Sequence, residues 1–232
     1  MPQPRDDLRS TLLSLLALLA WDASGWDLNV ARWFGSSAGF ALRDAWWTRH
    51  LLHDGGRMAA GALLIGLAVT AWQTKETSRP SRRERGCWLA AMLLCLLAVP
   101  LVKQLSTTSC PWDLLEFGGS AHHVSHWHWG RRDGGGGHCF PSGHAVAAFG
   151  FFGMHFLWRE HDAGRARLWL VGTLAAGAVF GALQMVRGAH YLSHVLWAAW
   201  LCWALCAAAA AWRPQARMGS RTGATDEYPA RL

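Results

Sequence analysis

Charged side chains are scarce in this sequence: Asp, Glu, Lys and Arg make up 16% of its 232 residues, while 52% are hydrophobic and sixteen are Trp. A soluble globular chain carries about 25% charged residues, so the shortage excludes that class and implies a chain embedded in a membrane. A cleavage signal is also missing. Arg5 and Arg9 precede a short apolar core, as in a secretory leader, but "LALLAWDASGWD" has no clean small-x-small site, and the run reads as a first membrane helix. No nucleic-acid-binding module surrounds the basic residues. The net charge of +7 is therefore not a nucleic-acid footprint, and no nucleic-acid partner is expected.

What the sequence has instead is apolar runs bounded by charge or glycine. Six lie near residues 8–22, 56–73, 86–102, 144–158, 166–186 and 194–212, and most are long enough to cross a hydrocarbon core of about 30 Å. The first and fourth are short and need flanking residues, and Pro100 implies a kink late in the third. The expected fold is all-α, a polytopic six-helix membrane domain over residues 1–212. The polar stretch 213–232, "RPQARMGSRTGATDEYPARL", reads as a disordered tail.

Lys and Arg in short loops mark the cytoplasmic side. The loop "KETSRPSRRERG" places the second connection inside, Arg159, Arg165 and Arg167 do the same for the fourth, and Arg213, Arg217, Arg221 and Arg231 for the tail. Both termini are then cytoplasmic, and connections one, three and five face outward. Connection one is too charged to span and rich in Trp and Phe, which suits a helix at headgroup level acting as a lid or skirt.

The outward connections gather Lys103, the segment "HCFPSGH" with Ser142, Gly143 and His144, and the segment "RGAHYLSH" with Arg187, His190 and His194. These residue types suit a phosphate. Lys103 and Arg187 offer fixed positive charge. "PSG" at a helix mouth offers backbone N–H groups, with Gly143 permitting close approach. Two histidines from different segments can act as nucleophile and general acid. Taken singly, each has a plainer reading: Ser142 as a helix N-cap, Arg187 as a snorkelling cation, the histidines as interfacial hydrogen-bonders. Their placement on one face, by a charge rule that ignores them, favours the joint reading.

With these residues in view, the sequence resembles the type 2 phosphatidic acid phosphatase superfamily, as a divergent bacterial-type membrane subfamily. That family shares a core with vanadium haloperoxidases and bacterial acid phosphatases. "KQLSTTSCP" supplies Lys103 and Pro111 at the spacing of its first motif, "PSGH" at Pro141–His144 matches the second in full, and "HYLSH" matches the third through His190. The resemblance spans roughly residues 56 to 212 by helix order. It implies a lipid phosphate or pyrophosphate as substrate, the bilayer as the other partner, and a bacterial inner membrane with the site facing the periplasm. It implies His190 as nucleophile forming a phosphohistidine, His144 as general acid, and Lys103, Ser142 and the Gly143 N–H as phosphate holders, with no cofactor and no metal. The oligomeric state is left open.

Three positions depart from the family pattern: Cys110 and Gln184 stand where it has Arg, and His194 where it has Asp. Arg187, one turn from Gln184, is expected to restore the lost charge, and His194 to accept from His190 and fix its tautomer. Asp54 and Asp113 are candidates for the missing negative charge. Cys110 and Cys139 are the two cysteines of an outer loop and, on an oxidising side, invite a disulfide joining the first motif to the second. The stretch "HHVSHWHWG" fits no ordered metal site. It reads as an interfacial loop among headgroups, with the four glycines that follow implying mobility. Lipid phosphotransfer, intramembrane serine proteolysis and inactive lipid binding remain as alternatives to hydrolysis.

Overall fold

The computed structural model describes residues 4–212 except Trp129; the expected tail, 213–232, lies outside the described residues. The chain is mostly helical: α1 Pro4–Ser24, α2 Trp26–Arg32, α3 Gly55–Gln73, α4 Arg82–Leu105, α5 Val146–Phe149, α6 Phe152–Trp158, α7 Ala163–Val186 and α8 Leu192–Trp212. A two-residue hairpin, Gly35–Ser36 with Gly39–Phe40, follows α2. A π-helical segment, Trp47–Asp54, leads directly into α3. Five of the predicted apolar runs fall in single helices, and the fourth, 144–158, is broken at Gly150–Phe151 into α5 and α6. Among the described residues, four helices are long and apolar enough to cross a membrane: Trp47–Gln73, α4, α7 and α8.

Local chemistry sets several of the helix ends. Ser81 and Glu84 form a reciprocal capping box at the start of α4, with Glu84 N–H donating to Ser81 Oγ (3.3 Å) and Ser81 N–H to Glu84 Oε2 (2.8 Å). Asp162 caps α7 by accepting from the Arg165 N–H at 2.9 Å. Helix α4 continues through Pro100 to Leu105, which carries Lys103 on its last turn.

The core joins α4, α5, α6 and α8 through Trp88, Met92, Val99, Phe149, Phe156 and Ala198. Helix α7 approaches on two glycines: a Cβ at Gly177 would lie 2.1 Å from the Phe149 ring, and one at Gly181 2.5 Å from Val195 Cγ1. Small residues are what allow such contact between helices that gain nothing from a hydrophobic effect in lipid. Leucines instead turn outward, among them Leu12, Leu16, Leu97, Leu101 and Leu168, each at least half exposed. That inversion matches a lipid solvent. Arg159, assigned above to topology, is buried and ion-paired, its Nη1 donating to Asp7 at 2.7 and 2.8 Å and so tying α6 to α1.

The first connection is packed against the third connection and the start of α8. Phe40 buries against Phe117, Ala121 and Tyr191. Asp27 on α2 accepts from the Ser193 N–H (3.0 Å) and from the Ser193 hydroxyl, fastening α2 to the start of α8.

Candidate active site

The site forms where α4 ends, α5 begins and α7 turns into α8. Lys103 extends from the last turn of α4 over the second motif, its Nζ 3.8 Å from where a Cβ at Gly143 would stand. A Cβ there would stand in ordinary contact with the Lys103 side chain, so the ammonium group lies directly over this backbone. Ser142 is fully buried. Its N–H donates to the His194 carbonyl at 2.9 Å, and its Oγ accepts from the Ala145 N–H at 3.4 Å. The Oγ bond thus closes the turn ahead of α5, whose N-cap is Ala145, and these bonds give Ser142 no imidazole base of the kind serine proteolysis needs.

His190 sits in the turn between α7 and α8, its backbone N–H on the Gln184 carbonyl at 3.3 Å. The side chain is almost wholly buried. Its Nδ1 lies 3.6 Å from Cys139 Sγ, which leaves Nε2 as the nitrogen for attack. Burial, with the Lys103 ammonium and His144 nearby, pushes its pKa well below the ordinary imidazole range, and only an interaction with the Cys139 backbone opposes this. His190 is thus held neutral, the form a nucleophile requires.

His144 precedes α5. Burial first, then the charges of His53, Arg57 and Arg187, lower its pKa to about 3. Its ring stacks on His53 with centroids 3.9 Å apart and planes within 6°, and Phe180 lies 5.7 Å away. The buried His144 Nε2 has no hydrogen-bond partner among the described residues. An unpaired buried ring nitrogen beside a lysine is where a ligand oxygen is wanted.

The expected substitutes for the departed motif residues are placed differently. His194 Nδ1 faces the Cys139 carbonyl oxygen at 3.1 Å, and its ring meets His190 edge-on with centroids 5.8 Å apart. Arg187 is buried, its Nε–H donating to the Arg43 carbonyl at 3.0 Å, close enough to His144 to act on it electrostatically. Asp54 pairs with His53 (2.9 Å) and His50 (3.3 Å), and Asp113 accepts from the Cys110 N–H at 3.3 Å within its own turn. Cys110 and Cys139 are joined, with Cα atoms 5.2 Å apart. Cys110 Sγ, Cys139 Sγ and His190 Nδ1 all lie within 4.8 Å of one another, but sulfurs bonded to each other offer a metal no thiolate.

The third connection, expected as an interfacial loop with a mobile glycine run, is held by side-chain anchors. Buried Asp133 accepts from the Ser109 N–H (2.6 Å), the Ser109 Oγ–H (2.8 Å) and the Gly135 N–H (3.0 Å). Within the glycine run Gly135 serves close approach, since a Cβ there would collide with Ser109 Oγ, while Gly134 and Gly137 take positive φ. His126 is buried, its Nε2 3.2 Å from Asp22 Oδ2, which also accepts from the indoles of Trp127 (3.1 Å) and Trp197 (2.8 Å). The His-rich loop is thereby clasped to α1 and α8.

The sequence reading missed His53, Asp22, Asp27 and Asp133. Only the adjacency of His53 and Asp54 ahead of an apolar helix signalled anything. Searches among curated proteins and among solved structures return no match. A family model described as PAP2 superfamily matches residues 85–218, a stretch containing Lys103, Ser142, Gly143, His144 and His190. Family members act as phosphatases on phosphate esters, and with more than half of its length matched the chain belongs to the PAP2 superfamily.

Proposed function

We propose that the chain is a membrane phosphatase that hydrolyses a lipid phosphate or pyrophosphate through a phosphohistidine at His190. The observation that carries this reading is the convergence of a neutral, buried His190, an unpaired His144 Nε2 and the Lys103 ammonium over Gly143. His190 Nε2 attacks phosphorus, and the bond to the leaving oxygen breaks as His144 supplies its proton. Lys103, Arg187, Ser142 and the Gly143 N–H hold the remaining oxygens. Water then cleaves the phosphorus–nitrogen bond, releasing phosphate and restoring neutral His190.

Helix α1 and the α5–α6 pair complete six spans in this reading. The stretch Val146–Trp158 is only about 20 Å long at helical rise and is the most enclosed of the helices, which supports a site recessed beneath the outer loops. Exposed Trp26, Trp33, Trp46 and Trp47 support a first connection at headgroup level. The cationic loops put both termini in the cytoplasm and the site on the periplasmic side of a bacterial inner membrane.

The test is phosphate release from short-chain phosphatidate and an isoprenyl pyrophosphate in detergent. Wild-type protein should release phosphate and, in an acid quench, yield an acid-labile phosphoenzyme. His190→Ala should lose both while keeping its helix content. Chelator should leave the rate unchanged, because Lys103 and Arg187 supply the positive charge. Full activity in His190→Ala would overturn the mechanism.

A further inference from the structure

We propose that His53, held by Asp54 at the end of the π-helical segment, is a positioning residue for His144: it fixes the ring of the general acid and governs the pH at which that ring gives up its proton. The inference rests on the phosphatase reading above and deepens it.

His53 and His144 lie in parallel rings 3.9 Å apart, a van der Waals stack with almost no tilt. The partner that fixes the upper ring is Asp54, whose Oδ1 is 2.9 Å from His53 Nδ1, while its Oδ2 reaches His50 Nδ1 at 3.3 Å. A carboxylate at Nδ1 makes that nitrogen the protonated one and so fixes the ring's tautomer and orientation. Phe180 of α7 is the second ring beside His144, its centroid 5.7 Å away and its plane tilted by 43°, and it packs in the space Gly56 leaves open: a Cβ there would meet the Phe180 ring at 2.8 Å. The general acid thus meets two rings, His53 stacked on it from the segment leading into α3 and Phe180 tilted against it from α7. The backbone that delivers His53 is π-helical from Trp47 to Asp54, a rare geometry frequent at functional sites.

Stacking has an electrostatic consequence. Two imidazolium ions cannot share faces at 3.9 Å without strong repulsion, so while His53 carries a proton, His144 tends to lose its own. The other charged or titratable groups acting on His144 are Arg57 from α3 and Arg187 from the end of α7, with His190 across the site. Arg57 and Arg187 are permanently charged, which leaves His53 as the neighbour on that face whose charge changes with pH. A phosphate dianion arriving at Nε2 works in the opposite direction and returns the proton to His144. His53 and Asp54 therefore keep the acid unprotonated in the empty site and poised to protonate on binding.

The experiment compares wild type with His53→Phe and His53→Ala. Phe preserves the stack and the cover but has no proton; Ala removes both. With short-chain phosphatidate in detergent, the basic limb of kcat should move to higher pH by about half a unit or more in His53→Phe, with kcat near its optimum largely kept. In His53→Ala the limb should move the same way and kcat should fall, because the stack is lost and only the interaction with the residue 53 backbone still holds the ring, while KM changes little. An NMR titration of histidine rings, with His144 assigned from His144→Gln, should show the His144 midpoint raised in His53→Phe without any substrate. An unmoved titration and an unmoved limb in His53→Phe would overturn the proposal and leave the stack as packing alone. Failure of the phosphatase reading looks different: wild type releases no phosphate at any pH, and the titration still decides whether His53 controls His144.

Discussion

At the scale of single residues, the site separates two histidines that the motif pairs. Both have depressed pKa values, yet one must be neutral to attack and the other protonated to donate. For His190 the depression helps, since it keeps the nucleophile free at neutral pH and far below it, and no acid limb from His190 is expected near pH 6.5. For His144 it opposes function in the empty site, where the proton leaves at about pH 3. Bound phosphate charge raises that value, so the basic limb of kcat, which reports the complex, should lie at higher pH than that of kcat/KM, which reports the free enzyme. Coincident limbs would remove His144 from the role of acid. Arg187 is expected to act on phosphate from behind His144, so Arg187→Ala should cost about tenfold or more in turnover. A rate near wild type would restrict Arg187 to its structural bond with the Arg43 carbonyl, with Arg57 the next cation to test.

At the scale of elements, the outer loop depends on the Cys110–Cys139 bond. Closing 29 residues contributes about 3.5 kcal/mol in the chain-entropy account. Cys139 is also the backbone and sulfur against which His190 and His194 rest. Cys139→Ser, or reduction, should therefore lower activity more than it lowers helix content, and peptide mapping without reductant should recover Cys110 joined to Cys139. Free, alkylatable thiols at both positions in active protein would refute this. The elements also show how far the sequence could be read. The apolar runs, the three motif segments and the cysteine pair were legible because each is a local pattern of hydrophobicity, spacing or residue type. Asp22, Asp27 and Asp133 were not, because each acts on a partner far along the chain: His126 and Trp197, Ser193, and Ser109. Nothing in composition tells a buried anchoring carboxylate from a solvated one. Likewise the four glycines suggest freedom when counted, yet Gly135 serves contact with Ser109 and Gly134 and Gly137 serve positive φ.

At the scale of the whole molecule, the charge asymmetry must agree with the position of the site. Lys75, Arg79, Arg82 and Arg83 gather at the α3–α4 junction, while Lys103, His144 and His190 lie at the opposite end of α4 and at the far ends of its neighbours. If cationic loops stay in the cytoplasm, the phosphate site opens to the other side, and the disulfide stands where an oxidising environment can keep it. One measurement checks both inferences. Ser78→Cys, in the α3–α4 loop, and Ser37→Cys, in the hairpin, place thiols at opposite ends of the helices, Ser37 at an exposed and Ser78 at a partly exposed position. In intact spheroplasts a membrane-impermeant maleimide should label Ser37→Cys and spare Ser78→Cys, and in inverted vesicles the pattern should reverse. Labelling of Ser78→Cys in spheroplasts would turn the molecule over. The site would then face the cytoplasm, its substrate would come from the inner leaflet, and Cys110–Cys139 would have to survive in a reducing compartment.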